Sequence, residues 1–169
     1  MDTDINVKNS ILTADAAQRR LRRMALQIAE ENIGEKEIII LGIAGNGEVL
    51  AKLIFQELKS LVPLHVQCNT IRINKREPLD AVLENEMDVE GKVTIVVDDV
   101  SNTGRTMLYA LKPLLNSSPK KIQTLVLVER SHKLFAVQSD YVGLTVSTTL
   151  QEHITVTVEE GKITGAYLH

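Results

Sequence analysis

Tryptophan is absent from the 169-residue chain, and three tyrosines and two phenylalanines are its only aromatic residues. Broad stacking platforms for nucleic-acid bases are therefore not expected. A single cysteine, Cys68, excludes an internal disulfide and fits a reducing cytoplasm. Within Leu64-His65-Val66-Gln67-Cys68 it reads as a small strand filler rather than a nucleophile. No apolar run approaches the length of a membrane span, and the opening Met1-Asp2-Thr3-Asp4 is too acidic and polar for a secretory signal. Low-complexity tracts, repeats and linkers are also missing, so residues 1–169 are expected to form one domain. A hydrophobic content of 44% with 24% charged residues is that of a soluble globular protein. The net charge of −3 neither demands nor excludes a nucleic-acid partner, because a local basic face can exist on an acidic protein.

The most informative segment present is Val-Thr-Ile-Val-Val-Asp-Asp-Val-Ser-Asn-Thr-Gly-Arg-Thr, residues 93–106. A buried apolar run delivers Asp98 and Asp99 to the end of a strand, and small polar residues with one glycine then open a helix. Free backbone N–H groups and the positive end of a helix dipole make such a turn a phosphate site. Carboxylates beside it can hold sugar hydroxyls or, through water, a magnesium ion. The plainer alternative is a strand–turn–helix junction capped by Thr103. Two consecutive aspartates at the end of a buried strand are costly without a ligand or partners, which favours the phosphorylated-sugar reading.

The order of elements places this segment. Residues 13–32 read as an amphipathic helix, with Ala17, Leu21, Met24, Ala25, Ile28 and Ala29 at helical spacing and Gly34 as a stop. Residues 37–43 are a nearly continuous apolar run, as expected of a parallel strand covered on both faces. After the turn Ala44-Gly45-Asn46-Gly47, residues 49–61 form a helix with Leu50, Leu53, Ile54 and Leu58 inward. A second strand spans residues 64–73, and residues 75–91 are polar with weak helical character. Strand 93–97, helix 104–115, strand 122–128 and short strands at 141–144 and 154–158 complete the chain, with residues 159–162 as a turn. The alternation predicts a three-layer α/β fold with a doubly wound, mostly parallel sheet in which strand 93–97 is central and parallel to strand 38–43. Ligands in such folds lie beyond the carboxyl ends of the strands, where the loops 44–47 and 98–106 meet. Gly45 and Gly47 make either a tight turn or a close approach of backbone amides to an anion.

The segment resembles the ribose-phosphate motif of the type I phosphoribosyltransferases, in which an acidic pair is followed by Thr-Gly-x-Thr. The runs at residues 19–32, 38–43, 125–132 and 139–143 extend the likeness to the pyrimidine operon attenuator and uracil phosphoribosyltransferase family, over nearly the whole chain. The resemblance implies a pentosyltransferase that binds phosphoribosyl diphosphate, a nucleobase such as uracil, and the nucleoside monophosphate. It also implies a homodimer or larger assembly, a magnesium cofactor and, in some members, messenger RNA. Carried over residue by residue, Asp98 and Asp99 face the ribose, and Val100, Ser101, Asn102, Thr103, Gly104, Arg105 and Thr106 cradle the 5′-phosphate. The loop Ala44, Gly45, Asn46 and Gly47 holds the diphosphate, and Arg130 and Ile154 fall at base-pocket positions, Ile154 through its main chain.

The chain departs from that pattern in three places. The diphosphate loop of the family carries a basic residue, but Ala44, Gly45 and Asn46 are uncharged. The segment after the second strand is short, with Arg72, Lys75 and Arg76 as its bases, and is the expected lid. A lysine of the family pattern is missing from residues 148–151, which read Thr-Thr-Leu-Gln. Weaker stabilisation of a departing diphosphate follows, so a nucleotide-sensing, RNA-binding regulator with little turnover stands as the alternative function. Arg19, Arg20, Arg22 and Arg23 form the densest basic cluster: either solvated helix residues paired with acids such as Asp15, or a subunit or RNA-phosphate face. His132 reads as a loop or interface residue rather than an acid–base group, and His65, His153 and His169 as too scattered for a metal site.

Overall fold

An apolar run with no polar face must be covered on both sides, and residues 38–43 meet that requirement by alternating between two cores. In the computed structural model, which describes residues 9–149 and 151–169, Ile38 and Ile40 join one core, while Ile39, Leu41 and Ile43 join the other. The acidic opening at residues 1–4, and Leu150 within the 148–151 stretch, lie outside the described residues. The elements in chain order are β1 (Ser10–Thr13), α1 (Ala14–Glu31), β2 (Glu37–Ile43), α2 (Asn46–Leu61), β3 (His65–Arg72), β4 (Val82–Leu83), β5 (Val93–Ser101), α3 (Arg105–Ala110), a 3-10 turn (Lys112–Leu114), β6 (Lys121–Arg130), β7 (Tyr141–Val146), β8 (Ile154–Glu159) and β9 (Lys162–Leu168).

The main sheet has the order β4-β3-β2-β5-β6-β7. Every neighbouring pair is parallel except β3 with β4. β5 is central and parallel to β2, with Ile38 opposite Val93 and Gly42 opposite Val97. Helices α1 and α2 cover one face and α3 with its 3-10 turn the other, giving the expected three layers. Thr13 caps α1 by accepting from the Ala16 amide at 3.2 Å, and Ala17, Leu21, Met24, Ala25 and Ile28 are buried at the predicted spacing. Ala29 and Leu53 sit at the margin of the core rather than inside it.

Four differences from the sequence reading have physical causes. The segment 75–91 forms no helix; it hugs the sheet edge, where Val82 and Leu83 pair antiparallel with Arg72 and Ile71 and the Glu84 amide donates to Thr70 at 2.8 Å. The helix expected over 104–115 ends at Ala110 and tightens into the 3-10 turn, because Pro113 has no N–H with which to continue it. β5 runs on to Ser101, since β6 pairs with it beyond the point where β2 stops. Besides β4, the strands β1 and β9 went unpredicted, and β8 joins these two in a separate antiparallel sheet ordered β1-β9-β8. The β8–β9 hairpin turns through Glu160 (φ 50°) and Gly161 (φ 73°), consecutive positive values that suit the twist of the flanking strands.

Each arginine of α1 has a partner, Arg19 and Arg22 through exposed ion pairs. Arg19 pairs with Asp15 at 3.0 Å and Arg22 with Glu57 at 2.8 Å. Arg20 donates to the Gly143 carbonyl at 2.9 Å, and Arg23 donates to the Val142 and Gly143 carbonyls. Two of the four therefore tie α1 to the β7 edge of the sheet. Buried Tyr141 anchors the same edge, its hydroxyl bridging Glu31 at 2.8 Å and Gln123 at 2.9 Å. Cys68 is a half-buried β3 residue packed against the larger core, as expected of a filler. No helix of the described residues is long and apolar enough to cross a membrane.

Candidate active site

The site forms where β5 outruns β2. Past Val97 the strand keeps its partner β6 but has none from β2, so Asp98 and Asp99 project into the crevice at the carboxyl edge of the sheet. A cavity of about 250 Å³ opens there. It is lined by Asn46, Lys75, residues 98–107 and residues 154–156. Thus Asp98, Asp99, Val100, Ser101, Asn102, Thr103, Gly104, Arg105, Thr106, Asn46 and Ile154, all singled out from the sequence, lie around one space. Ala44, Gly45, Gly47 and Arg130 do not line it; Lys75, Met107, Thr155 and Val156 do so without having been assigned to the site.

Gly104 takes the left-handed conformation (φ 84°, ψ −2°) that starts α3, and the Arg105 amide donates to Thr103 Oγ1 at 3.2 Å. Thr103 thus closes the turn one residue ahead of the cap position. Behind the turn, the Leu134 and Phe135 amides both donate to the Thr103 carbonyl at 3.0 Å. A Cβ on Gly104 would meet the Phe135 and Val137 carbonyls at 3.3 and 3.4 Å. The loop carrying exposed His132 therefore backs the turn at Thr103 and Gly104. An ion pair between Lys133 and Glu129 at 2.8 Å fixes it, with the Ser139 amide donating to the same Glu129 oxygen at 3.0 Å.

Asn46 is the member of the loop 44–47 that lines the cavity. Its Nδ2 donates to Asp99 Oδ2 at 3.1 Å and to the Val156 carbonyl at 2.9 Å, joining the main sheet to the antiparallel one across the site. Gly45 (φ 100°) makes the tight turn, and Gly47 is buried against β5 rather than facing the cavity. Arg130 donates to the Thr149 carbonyl at 3.1 Å and the Glu152 carbonyl at 2.6 Å. It holds the turn from which β8 brings Ile154 to the wall. His153 and His169, judged too scattered from sequence, are neighbours: their backbones exchange hydrogen bonds of 2.6 and 3.0 Å at the open end of the β8–β9 hairpin. Among the described residues no cluster of three or more His, Cys, Asp or Glu side chains could hold a metal unaided.

The two carboxylates differ. Asp98 is 2% exposed, and burial, reinforced by the charge of Asp99, pushes its carboxyl up to about 7 despite the opposing pull of Lys75. Lys75 Nζ lies 3.2 and 3.3 Å from its two oxygens. Asp99 is only partly buried and accepts from its neighbour's amide, Val100 N, at 2.9 Å. Hard oxygen donors of this kind suit magnesium held through water and substrate phosphates, the usual mode of that ion, and not an all-protein cage. Because Asp98 binds extra protons in the folded state between about pH 4 and 7, folding stability falls as pH rises through that window.

The family model for the phosphoribosyl transferase domain matches residues 8–160. The "Bifunctional protein PyrR" of Staphylococcus carnosus is 35% identical over 160 residues, covering 89% of this chain and 91% of that one. The protein of the same name from Oceanobacillus iheyensis is 34% identical over 165 residues, covering 90% and 92%. Among solved structures, a hypoxanthine-guanine phosphoribosyltransferase from Bacillus anthracis superimposes with a TM-score of 0.72 at 21% identity, covering 94% of this chain and 96% of that one. At that identity the likeness is one of fold.

Proposed function

Because the chain belongs to the phosphoribosyl transferase domain family, we propose that it moves the 5-phosphoribosyl group of phosphoribosyl diphosphate onto uracil, releasing diphosphate and forming the nucleoside monophosphate. The observation that carries this reading is that the Asp98–Asp99 pair, the turn at residues 103–106 and Ile154 line one cavity. In the reaction the bond from ribose C1 to the diphosphate oxygen breaks, a C1–N bond to the base forms, and the base nitrogen loses its proton. Thr103, Gly104, Arg105 and Thr106 bind the 5′-phosphate through main-chain N–H groups and hydroxyls. Asp99, oriented by Asn46, accepts from a ribose hydroxyl, and Asp98 lies behind it as the second acceptor. Ile154 presents its main chain to the base, held in place by Arg130. Magnesium, when bound with the diphosphate, supplies positive charge to the departing group. Of residues 75–91, the segment expected as the lid, residues 75–80 precede the pairing of Val82 and Leu83 with the sheet edge, and these close over the ligand and exclude water.

The test is a panel of nucleobases incubated with phosphoribosyl diphosphate and magnesium, with diphosphate release followed; uracil is expected to give the fastest release. The second reading, a nucleotide-sensing regulator that binds RNA with little turnover, is favoured by the uncharged loop of residues 44–47. No release with any base, together with nucleotide-dependent RNA binding, would reverse the order. An RNA face on α1 would have to rely on Arg19 and Arg22, since Arg20 and Arg23 are bound to β7 carbonyls.

Replacing Thr103 and Thr106 by valine is expected to weaken ribose 5-phosphate binding by about tenfold, because the main-chain donors survive. Retention of full affinity in a titration would remove the hydroxyls from the phosphate site. The protein acts in the cytoplasm as a homodimer or larger assembly of single-domain subunits. Leu79, Val82, Leu108 and Leu115 are all exposed, and Lys112 Nζ, donating to the Leu79 carbonyl at 2.7 Å, joins the two segments that carry them. A second copy covers this surface, and light scattering at micromolar protein is expected to show no major monomer.

A further inference from the structure

A buried ion pair stands behind the turn at residues 101–106, outside the cavity. Glu129 lies in β6 opposite Ser101 of β5, so the strand register brings its carboxylate level with the start of that turn. Its Oε1 accepts from the Ser139 amide at 3.0 Å and meets Lys133 Nζ at 2.8 Å. Both side chains are largely out of water, Glu129 at 5% exposure and Lys133 at 12%. The Lys133 ammonium also donates to the Arg130 carbonyl at 3.3 Å. One carboxylate oxygen thus clips residue 133 to residue 139, on either side of the segment that backs Thr103 and Gly104. Apolar burial contributes little to holding that segment: Leu134 is 79% exposed, and Val137 packs only at the margin of the smaller core. It nevertheless brings the Leu134 and Phe135 amides to the Thr103 carbonyl at 3.0 Å each. The Lys133 stem comes within 3.5 Å of where a Cβ on Gly104 would stand.

We infer that the Glu129–Lys133 pair is a strut for phosphate binding, pressing loop 131–139 against the turn so that the main-chain donors of residues 104–106 stay aimed into the cavity. This rests on the reading above in which residues 103–106 hold the 5′-phosphate. Neither side chain lines the cavity, so both are positioning residues. Burying two charges carries a desolvation cost that their attraction offsets only in part, and an uncharged pair of similar volume is often as stable. What the ion pair adds is geometry, since a short charge-assisted contact fixes the loop at one distance from the turn. Gly104 needs that support: its left-handed φ of 84° comes with no side chain to lock it. Donors held in place before the phosphate arrives bind it without first being ordered.

The test compares the parent with Glu129→Gln, Lys133→Met and the double variant carrying both changes. Three quantities would be measured: the melting temperature, hydrogen exchange of the Leu134 and Phe135 amides in the ligand-free protein, and ribose 5-phosphate affinity at a temperature where every variant is folded. Each single variant leaves one buried charge unpaired and should melt lower, whereas the double variant, with no charge to bury, should return toward the parent. In all three variants the two amides are expected to exchange about tenfold faster or more, and ribose 5-phosphate affinity to fall about tenfold. If a single variant fails to fold, the double variant carries the comparison. A double variant that regained affinity along with its melting temperature would reduce the pair to a stabilising contact. Unchanged exchange would show the loop held without the pair, and faster exchange at unchanged affinity would uncouple the loop from the phosphate. Any of these overturns the inference and leaves the 5′-phosphate reading intact. A parent protein that fails to bind ribose 5-phosphate would instead overturn that reading, and this inference with it.

Discussion

Exchanging Asp98 and Asp99 together for asparagine is expected to abolish phosphoribosyl diphosphate binding while raising the melting temperature. The two effects share one cause. A carboxyl held up to about 7 by burial and by its neighbour's charge is one that the folded chain would rather keep protonated. Below about pH 4 the group is protonated in both states and contributes nothing. As pH rises through the window to about 7 the unfolded chain releases this proton first, and stability declines; above that it remains low. Asparagine cannot ionise, so the variant escapes the decline. Its advantage over the parent should grow from about pH 5 to 7 and then level off, by about 2–4 °C for each kcal/mol relieved. Ligand-induced stabilisation should disappear, because amides replace the charged acceptors of the ribose hydroxyls and the partners of hydrated magnesium. Thermal scans of both proteins across that pH range, with and without ligand, check both halves. A variant that still bound ligand as tightly as the parent would make the pair structural, and one that failed to fold would mark a buried network whose charges support the strand.

The acid pair was legible in the sequence because its neighbours are local. Residues 93–106 carry strand, carboxylates, turn and helix start in consecutive positions, and the structure keeps that order. The same holds for β2, whose predicted bounds at 37 and 43 are those observed, since a run with no polar face admits one environment. The second sheet was less visible. β9 reads Lys-Ile-Thr-Gly-Ala-Tyr-Leu, a mixed string whose glycine and alanine pass for loop residues until β1 and β8 flank it. Contacts between distant residues left no trace at all. Asn46 meets Asp99 and Val156 across separations of 53 and 110 residues, and Lys75 reaches Asp98 across 23. Nothing in the pattern of residues 74–77 says that the lysine turns inward. Arg130 was singled out by the family likeness alone, which could not tell a ligand contact from the backbone clamp on Thr149 and Glu152.

Gly47→Ala is expected to damage stability and ligand binding together, through one missing hydrogen's worth of space. The first turn of α2 lies directly on the two strands that frame the site. A Cβ on Gly47 would stand 2.8 Å from the Val97 carbonyl, 2.9 Å from Asp98 Oδ1 and 3.1 Å from Asp98 Cα. Two of those three are backbone atoms of the central strand, which cannot move without breaking the ladder to β6. From below, Gly42 repeats the constraint: its Cβ would meet the Glu48 Cα and Ala51 Cβ at 2.7 Å each. The helix start can therefore neither tilt toward β2 nor remain against β5, and must lift away from both. Overpacking of this kind costs about 1–3 kcal/mol. Lifting α2 also withdraws Asn46 from Asp99 and Val156, so the clamp that joins the two sheets across the cavity opens. Chemical denaturation should report the lost stability, and a ligand titration at a temperature where the variant is still folded should report a further loss of affinity. Gly45→Ala provides the control, because a Cβ there meets nothing within 4 Å and only the φ of 100° opposes it. If Gly47→Ala lost no more than Gly45→Ala in either measurement, close packing of α2 on β5 would not be what positions the acid pair.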